Sequence, residues 1–167
     1  MRVVLSRVHG ATCEVEGEIV SQIENGLLLI VGFGVDDDEE TVKKTASKIG
    51  RVRVFPDESG KISRSTADVG GSAMVISNFT LYGRVKHSNR PDFTHSCPGD
   101  RANEYFELFK KELSAYFPVV SGRFATHMHI SALHDGPVTL VIDSDDLGRG
   151  RQHPHFARSS FVRFLPR

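Results

Sequence analysis

A polar stretch at residues 77–80, Ser-Asn-Phe-Thr, brings together two hydroxyls, a carboxamide and an aromatic ring. It ends the apolar run AMVI, which predicts a strand, and strand ends are common places for sites. The loop that follows is basic and has one acid, Asp92; its cations are Arg84, Lys86, His87 and Arg90. A polar cradle beside a basic loop fits a phosphate-bearing substrate. Capping hydroxyls beside a solvated loop would explain the same residues, so both interpretations stay open.

A second candidate is the dipeptide Gly136-Pro137, set just ahead of the apolar run VTLVID. Proline cannot donate a backbone hydrogen bond, so it is costly within a ladder of strand hydrogen bonds. The dipeptide is either a turn that enters a strand or the working part of a site.

Other chemistries find little support. His127 and His129 share one face of a predicted strand, but no carboxylate or cysteine is spaced to complete a metal site. No GxSxG elbow marks a serine nucleophile, although a triad assembled in space is still compatible with the sequence. We therefore predict neither a metal nor a cofactor.

Length and composition predict one compact domain. The chain has 167 residues, of which 39% are hydrophobic and 25% charged, and its formal net charge is zero. An anionic partner must therefore meet a local basic patch. Cys13 and Cys97 are far apart, which predicts free thiols in a reducing compartment. With neither an apolar span nor a signal-peptide pattern, we expect a cytoplasmic protein that does not enter a membrane.

The pattern of apolar residues predicts an α+β domain with a curled, largely antiparallel, barrel-like sheet and two amphipathic helices. A strand at 2–8 leads into a hairpin over 11–23 that reverses at Gly17, and LLLIVGF predicts a central strand buried on both faces. The first helix ends at Gly50, and the second spans 98–117 with Asp100 as its cap. The remaining predicted strands are RVRVF, AMVIS, HMHISAL and PVTLVIDS.

Residues 145–167 differ in character from the rest of the chain. Five arginines and two histidines occur there with little periodicity. We predict a domain over 1–144 followed by a basic C-terminal tail on the surface.

Five motifs, MRVVLSRV, SNFTLY, NRPDFT, FATHMHI and HDGPVTLVIDS, occur in this order over roughly residues 1–144. Together they resemble the D-aminoacyl-tRNA deacylase family, also called D-Tyr-tRNA deacylase. The resemblance implies a cytosolic homodimer that hydrolyses the ester between a D-amino acid, or glycine, and the terminal adenosine of tRNA. DNA is not an expected partner.

The resemblance also implies roles for individual residues. The family's signature, which begins Ser-Gln and ends in Thr, corresponds to the catalytic candidates Ser77, Asn78, Phe79 and Thr80. Its cis Gly-Pro motif corresponds to Gly136 and Pro137, which would enter the partner subunit's active site and reject L-aminoacyl esters, while Arg7 steadies them from its own side. Substrate binding is assigned to Met128, which would line the adenosine pocket, and to Arg90 and Thr94.

The chemistry that the resemblance implies uses the RNA's own 2′-hydroxyl, with the protein mainly positioning the ester. The backbone N–H groups of Phe79 and Thr80 are the candidates for an oxyanion hole. No adjacent base in the sequence activates Thr80 as a nucleophile. Two alternatives remain: a tRNA-binding dimer without catalysis, and a conventional esterase with a Ser or Thr nucleophile.

Two residues depart from the family pattern. Asn78 stands where Gln is usual, which keeps the amide but shortens its reach by one methylene. His134 stands where Asn is usual, and an imidazole beside Gly136 predicts pH-sensitive activity.

Overall fold

The structure is a computed structural model that describes residues 1–86 and 88–148. The predicted basic tail therefore lies outside the described residues from position 149 onward, and so does His87. The strands are β1 (Arg2–Val15), β2 (Glu18–Ile23), β3 (Gly26–Gly32), β4 (Arg53–Pro56), β5 (Ile62–Ser65), β6 (Ser72–Ser77), β7 (Val119–Ser121) and β8 (His129–Asp143), and the helices are α1 (Glu39–Gly50), α2 (Gly99–Leu113) and α3 (Ser144–Gly148).

Six strands form one curled sheet in the order β2-β1-β3-β6-β7, with β8 paired to β1. β1 runs antiparallel to β2, β3 and β8, whereas the β3–β6 and β6–β7 pairs are parallel. Because β2 also approaches β6 and β7, the sheet is a nearly closed barrel. The predicted α+β barrel is confirmed, but the sheet is mixed and not largely antiparallel. β4 and β5 form a separate hairpin.

The first hairpin turns at Glu16 and Gly17, whose φ angles are 54° and 84°. Two successive residues with positive φ match the right-handed twist of the flanking strands, and glycine adopts such angles without steric cost. The predicted reversal at Gly17 is confirmed, but the residues before it form one strand, β1, and not two. Likewise β8 is a single strand across Gly136 and Pro137, where two were predicted.

Helices α1 and α2 pack against the sheet and against each other. Asp38 caps α1 by accepting a hydrogen bond from the Thr41 N–H at 2.8 Å. The predicted cap of α2 is wrong: Pro98 occupies the cap position without a side-chain hydrogen bond, and Asp100 lies in the first turn. The helix also ends at Leu113, four residues before the predicted end. Its predicted apolar stripe is buried at Tyr105, Phe106, Phe109 and Leu113.

Three short elements, β5, β7 and α3, were not predicted. Strand β7 is too brief to show a periodicity, and it adds a parallel edge beside β6. Helix α3 begins at Ser144, so the first residues of the predicted tail continue directly from β8. In the part of the chain that the structure describes, no helix is both long and apolar enough to cross a membrane.

Candidate active site

A cavity of about 850 Å³ opens where β6 ends and α2 begins. One wall is residues 77–80, and the opposite wall is the segment 124–128 that precedes β8. The structure thus brings together five of the predicted site residues: Ser77, Asn78, Phe79, Thr80 and Met128. The other lining residues are Ile30, Gly32, Phe33, Ile76, Phe93, Ser96, Cys97, Gly99, Ala102, Phe124, Ala125, Thr126, His127 and Ile130.

Asn78 organises the turn at the cavity wall. It is the cap of a 3-10 turn, Phe79–Tyr82, and its Oδ1 accepts a hydrogen bond from the Thr80 N–H at 3.0 Å. The same Oδ1 accepts a second hydrogen bond from the Thr80 hydroxyl. Asparagine is well suited to this geometry because its short side chain reaches a backbone N–H two residues ahead. Asn78 therefore fixes both hydrogen-bond donors of Thr80.

These bonds bear on the predicted oxyanion hole. The Thr80 N–H already donates to Asn78, so in this state it is engaged within the chain. Among the hydrogen bonds of the described residues, none uses the Phe79 N–H as donor, whereas the Phe79 carbonyl accepts from the Ser96 hydroxyl at 3.1 Å. Of the two predicted groups, the Phe79 N–H is the one available to a ligand.

Aromatic rings and a thioether supply the apolar surface of the cavity. The Phe79 and Phe93 rings pack edge to face with centroids 5.0 Å apart, and 55% of Phe79 is exposed. A Cβ added at Gly122 would lie 2.4 Å from the Met128 sulfur, so Met128 rests against bare backbone. A polarizable thioether in this position suits contact with a flat ring.

Several lining residues did not stand out in the sequence. Phe93 lies within the NRPDFT motif, which was the only signal that could have marked it. Cys97 is buried and accepts a hydrogen bond from Arg101 Nε at 3.4 Å, and this bond raises the pKa of Arg101. Within the described residues, no group of three His, Cys, Asp or Glu side chains could hold a metal ion.

Thr94 and Arg90 do not line the cavity. Thr94 donates from its N–H and its hydroxyl to the two carboxylate oxygens of Asp92, at 2.9 and 3.0 Å. The hydrogen bond from the Thr94 N–H has the largest effect and the one from its hydroxyl the next largest, and together they hold the pKa of the Asp92 carboxyl below its usual value. Thr94 thus shapes the loop, while the Arg90 side chain is exposed on it. Their predicted role in substrate binding stays a prediction.

The Gly136-Pro137 segment lies apart from the cavity of its own chain. It forms an exposed irregularity of β8, with a cis peptide bond and a shift in the register with β1. Gly136 has a φ of 124°, and a Cβ there would lie 2.6 Å from the Val138 nitrogen. His134, just before it, pairs with Val8 and is exposed. The dipeptide is therefore not a turn that enters a strand.

Arg7 anchors this segment from beneath. Its Nε lies 2.7 Å from a carboxylate oxygen of Asp135, and its Nη1 donates to the Val54 carbonyl at 2.6 Å. The other Asp135 oxygen lies 3.4 Å from His9 Nε2. Arg7 is buried, so its charge has no alternative solvation and the contact with Asp135 is held firmly. Arg7 does contact the residue next to Gly136, as its predicted supporting role requires.

Known proteins resemble the whole described domain. A sequence model of the family described as D-Tyr-tRNA(Tyr) deacylase matches residues 4–143. A D-aminoacyl-tRNA deacylase from Listeria innocua is 46% identical over 148 residues, which cover 88% of this chain and 99% of the relative. One from Thermosipho africanus is 44% identical over 145 residues, covering 86% and 97%.

Solved structures share the fold. A structure titled c-Myc DNA Unwinding Element Binding Protein superposes with a TM-score of 0.81 at 33% identity, covering 86% of this chain and 98% of that one. A probable eukaryotic D-amino acid tRNA deacylase superposes with a TM-score of 0.75 at 14% identity, covering 84% and 97%. The second likeness concerns the fold alone. From the family match and the curated relatives, the chain belongs to the D-aminoacyl-tRNA deacylase family of hydrolases.

Proposed function

We propose that this protein hydrolyses the ester bond between a D-amino acid and the 3′-terminal adenosine of tRNA, releasing both. Membership of the deacylase family supports the substrate class. The observation that carries the proposal is the cavity, which joins an apolar wall at Phe79 and Met128 to the polar turn at Asn78 and Thr80. Such a cavity suits an adenosine that carries an ester.

In the proposed complex the adenine packs beside Met128 and Phe79, and the ester faces residues 77–80. Water adds to the ester carbonyl carbon, the bond from that carbon to the ribose oxygen breaks, and the ribose oxygen takes up a proton. The 2′-hydroxyl of the RNA assists this transfer. The Phe79 N–H stabilises the negative charge that develops on the carbonyl oxygen, a contribution commonly worth a few kcal/mol.

Chiral selection is proposed to come from a second copy of the chain. Gly136 and Pro137 are exposed and do not line the cavity of their own chain, and we propose that their carbonyl groups serve another subunit's site. Carbonyl oxygens can accept from the amino group of a D-aminoacyl ester while colliding with the side chain of an L-aminoacyl ester. Glycine has no side chain to reject, so glycyl-tRNA is also a proposed substrate.

Exposed apolar side chains on β8 support a homodimer. Val141 is 76% exposed and Leu133 66% exposed. Large side chains clustered on one strand are typical of a protein interface. A two-fold dimer through this strand would give each cavity one Gly136-Pro137 segment from the partner.

Replacing Thr80 separates the proposed chemistry from that of a conventional esterase. The Thr80 hydroxyl donates to Asn78 and has no His, Asp or Glu hydrogen-bonded to it among the described residues. We therefore expect Thr80→Val to slow single-turnover deacylation of D-Tyr-tRNA by no more than about tenfold, the value of one hydrogen bond. Loss of a true nucleophile would cost several orders of magnitude.

A matched substrate completes this test. D-Tyr-tRNA that ends in 2′-deoxyadenosine should be cleaved far more slowly by the wild-type enzyme, because it lacks the assisting hydroxyl. If instead the deoxy substrate is cleaved normally and Thr80→Val is inactive, Thr80 is the nucleophile and the esterase alternative is correct. If tRNA binds and neither ester is cleaved, the non-catalytic alternative is correct.

Asn78→Asp tests the electrostatics of the turn. Aspartate keeps the Oδ1 acceptor that holds Thr80 but adds a negative charge beside the developing oxyanion. We expect kcat at neutral pH to fall by at least about tenfold and to recover partly as the pH is lowered and the carboxylate is protonated. Asn103→Asp, exposed on α2, adds the same charge as a control and should leave kcat unchanged. If Asn78→Asp and the wild type have equal kcat values, residue 78 does not lie beside the reacting ester.

A further inference from the structure

A second, basic groove lies at the far end of the helix pair. It has a volume of about 540 Å³ and is formed by the last two turns of α1, the start of β4 and helix α3. Its charged residues are four exposed cations and one acid: Lys44, Lys48, Arg51, Arg53 and Asp146. None of these residues lines the candidate active site.

The cations of this groove have no carboxylate partner in ion-pair contact among the described residues. Residues 149–167 contain no Asp or Glu, so they supply no acidic side chain. Lys44, Lys48 and Arg51 have the i, i+4, i+7 spacing that places them along one stripe of a helix, where like charges repel. Neighbouring Lys43, by contrast, contacts Glu39 at 3.2 Å.

Two hydrogen bonds and an aromatic ring hold the Arg51 guanidinium in place in this groove. Its Nη2 donates to the Ser47 hydroxyl at 2.8 Å and to the Tyr116 hydroxyl at 3.3 Å, and its guanidinium lies 5.8 Å from the centre of the Tyr116 ring. A fixed guanidinium suits phosphate because its planar fork matches two phosphate oxygens. Because the whole chain has zero net charge, this concentration of cations is a local feature and not part of a general basic field.

The groove and the cavity lie at opposite ends of the helix pair. Gly99 and Ala102, at the beginning of α2, line the cavity. At that same end Arg101 reaches the Val35 carbonyl just before α1, while Tyr116, beyond the end of α2, bonds to Ser47 near the end of α1. The two helices therefore run in the same direction. Their length separates the two sites by roughly 20 Å, at about 1.5 Å per residue.

We propose that the basic groove binds phosphates of the tRNA acceptor stem while the terminal ester occupies the cavity. This inference rests on the proposed function. Double-stranded RNA is recognised mainly through its phosphates and 2′-hydroxyls, which needs cations and no sequence readout. A contact away from the reacting ester adds affinity for any tRNA without discriminating between amino acids.

The test is the salt dependence of binding between uncharged tRNA and the full chain, with the double variant Lys44→Ala/Lys48→Ala. Alanine is the best helix former, so these exposed substitutions should leave α1 intact. We expect about tenfold weaker binding at 0.15 M salt and a fall of about two in the slope of log affinity against log salt. Lys43→Ala removes one charge from the same helix and should have a much smaller effect.

Turnover assays separate this inference from the proposed function. For D-Tyr-tRNA we expect the double variant to raise KM by about tenfold with kcat unchanged, and for the D-tyrosyl ester of adenosine, which has no phosphates, we expect wild-type rates. The proposal that the groove binds phosphates would be wrong if the double variant left the salt slope unchanged, or if Lys43→Ala weakened tRNA binding equally. If the double variant binds tRNA more weakly but the wild type cleaves no ester, the phosphate-binding role of the groove is supported and the proposed deacylase function is wrong.

Discussion

Gly136→Ala is expected to reduce kcat/KM for D-Tyr-tRNA by about 100-fold. Residue 136 has a φ of 124°, a conformation that residues with a Cβ rarely adopt, and an added Cβ would lie 2.6 Å from the Val138 nitrogen and 2.8 Å from its Cγ2. Since the closer of these two contacts is with the Val138 backbone, which cannot rotate away as a side chain can, the segment must shift. A displacement of about 1 Å at a positioning group commonly costs two orders of magnitude.

Gly60→Ala is the matched control for this change. Gly60 also has a positive φ, 80°, but open space surrounds its Cα, and it lies in the turn between β4 and β5. Both variants carry backbone strain, so thermal unfolding should show a stability loss in each, of about 1–3 kcal/mol. Only Gly136→Ala should lose activity and D-over-L selectivity. Wild-type selectivity in Gly136→Ala would show that the segment does not contact the substrate.

Val141→Glu is expected to convert the proposed dimer to monomer and to abolish most of the activity. A charge buried at an interface without a partner costs several kcal/mol. In a two-fold dimer each subunit would bring its own introduced glutamate side chain into the interface, so this cost is borne twice. Sedimentation equilibrium should give a monomer mass, while circular dichroism keeps the β-sheet spectrum. Activity should recover partly as the protein concentration is raised, because dimerisation depends on concentration.

Ile62→Glu supplies the control for the interface. Ile62 is 52% exposed on the separate β4–β5 hairpin, so the same loss of an exposed apolar side chain should change neither mass nor turnover. A Val141→Glu protein that is monomeric and fully active would show that each subunit holds a complete site. In that case the proposed role of the partner's Gly136-Pro137 segment would be wrong.

Sequence patterns predicted the elements whose signals are local. Alternation and a two-residue turn identify the hairpin around Gly17, and the burial of Phe106 and Phe109 follows from their helical spacing. The parallel pairing of β6 with β3 and β7 was not predicted, since strand direction depends on contacts between residues distant in sequence. The cap of α2 was assigned to Asp100 by residue type, yet the chain enters the helix at Pro98.

For the site, the motifs indicated candidate residues, and the structure shows which of them lie together. That residues 77–80 and Met128 line one cavity follows from β6 and the segment before β8 lying side by side, a juxtaposition no local pattern contains. The bond from the Thr80 N–H to Asn78 was likewise invisible in composition, and it changes which backbone group is free for an oxyanion. Arg7 and Asp135 lie far apart in the chain, and they meet only because β1 pairs with β8.

The proposed function is best tested by a deacylation time course on matched D-Tyr-tRNA and L-Tyr-tRNA with the wild-type enzyme and Gly136→Ala. The proposed deacylase function predicts rapid loss of the D ester, persistence of the L ester, and a marked loss of rate or selectivity in the variant. Equal cleavage of both esters by the wild type, or cleavage of neither by a folded dimer, would contradict it.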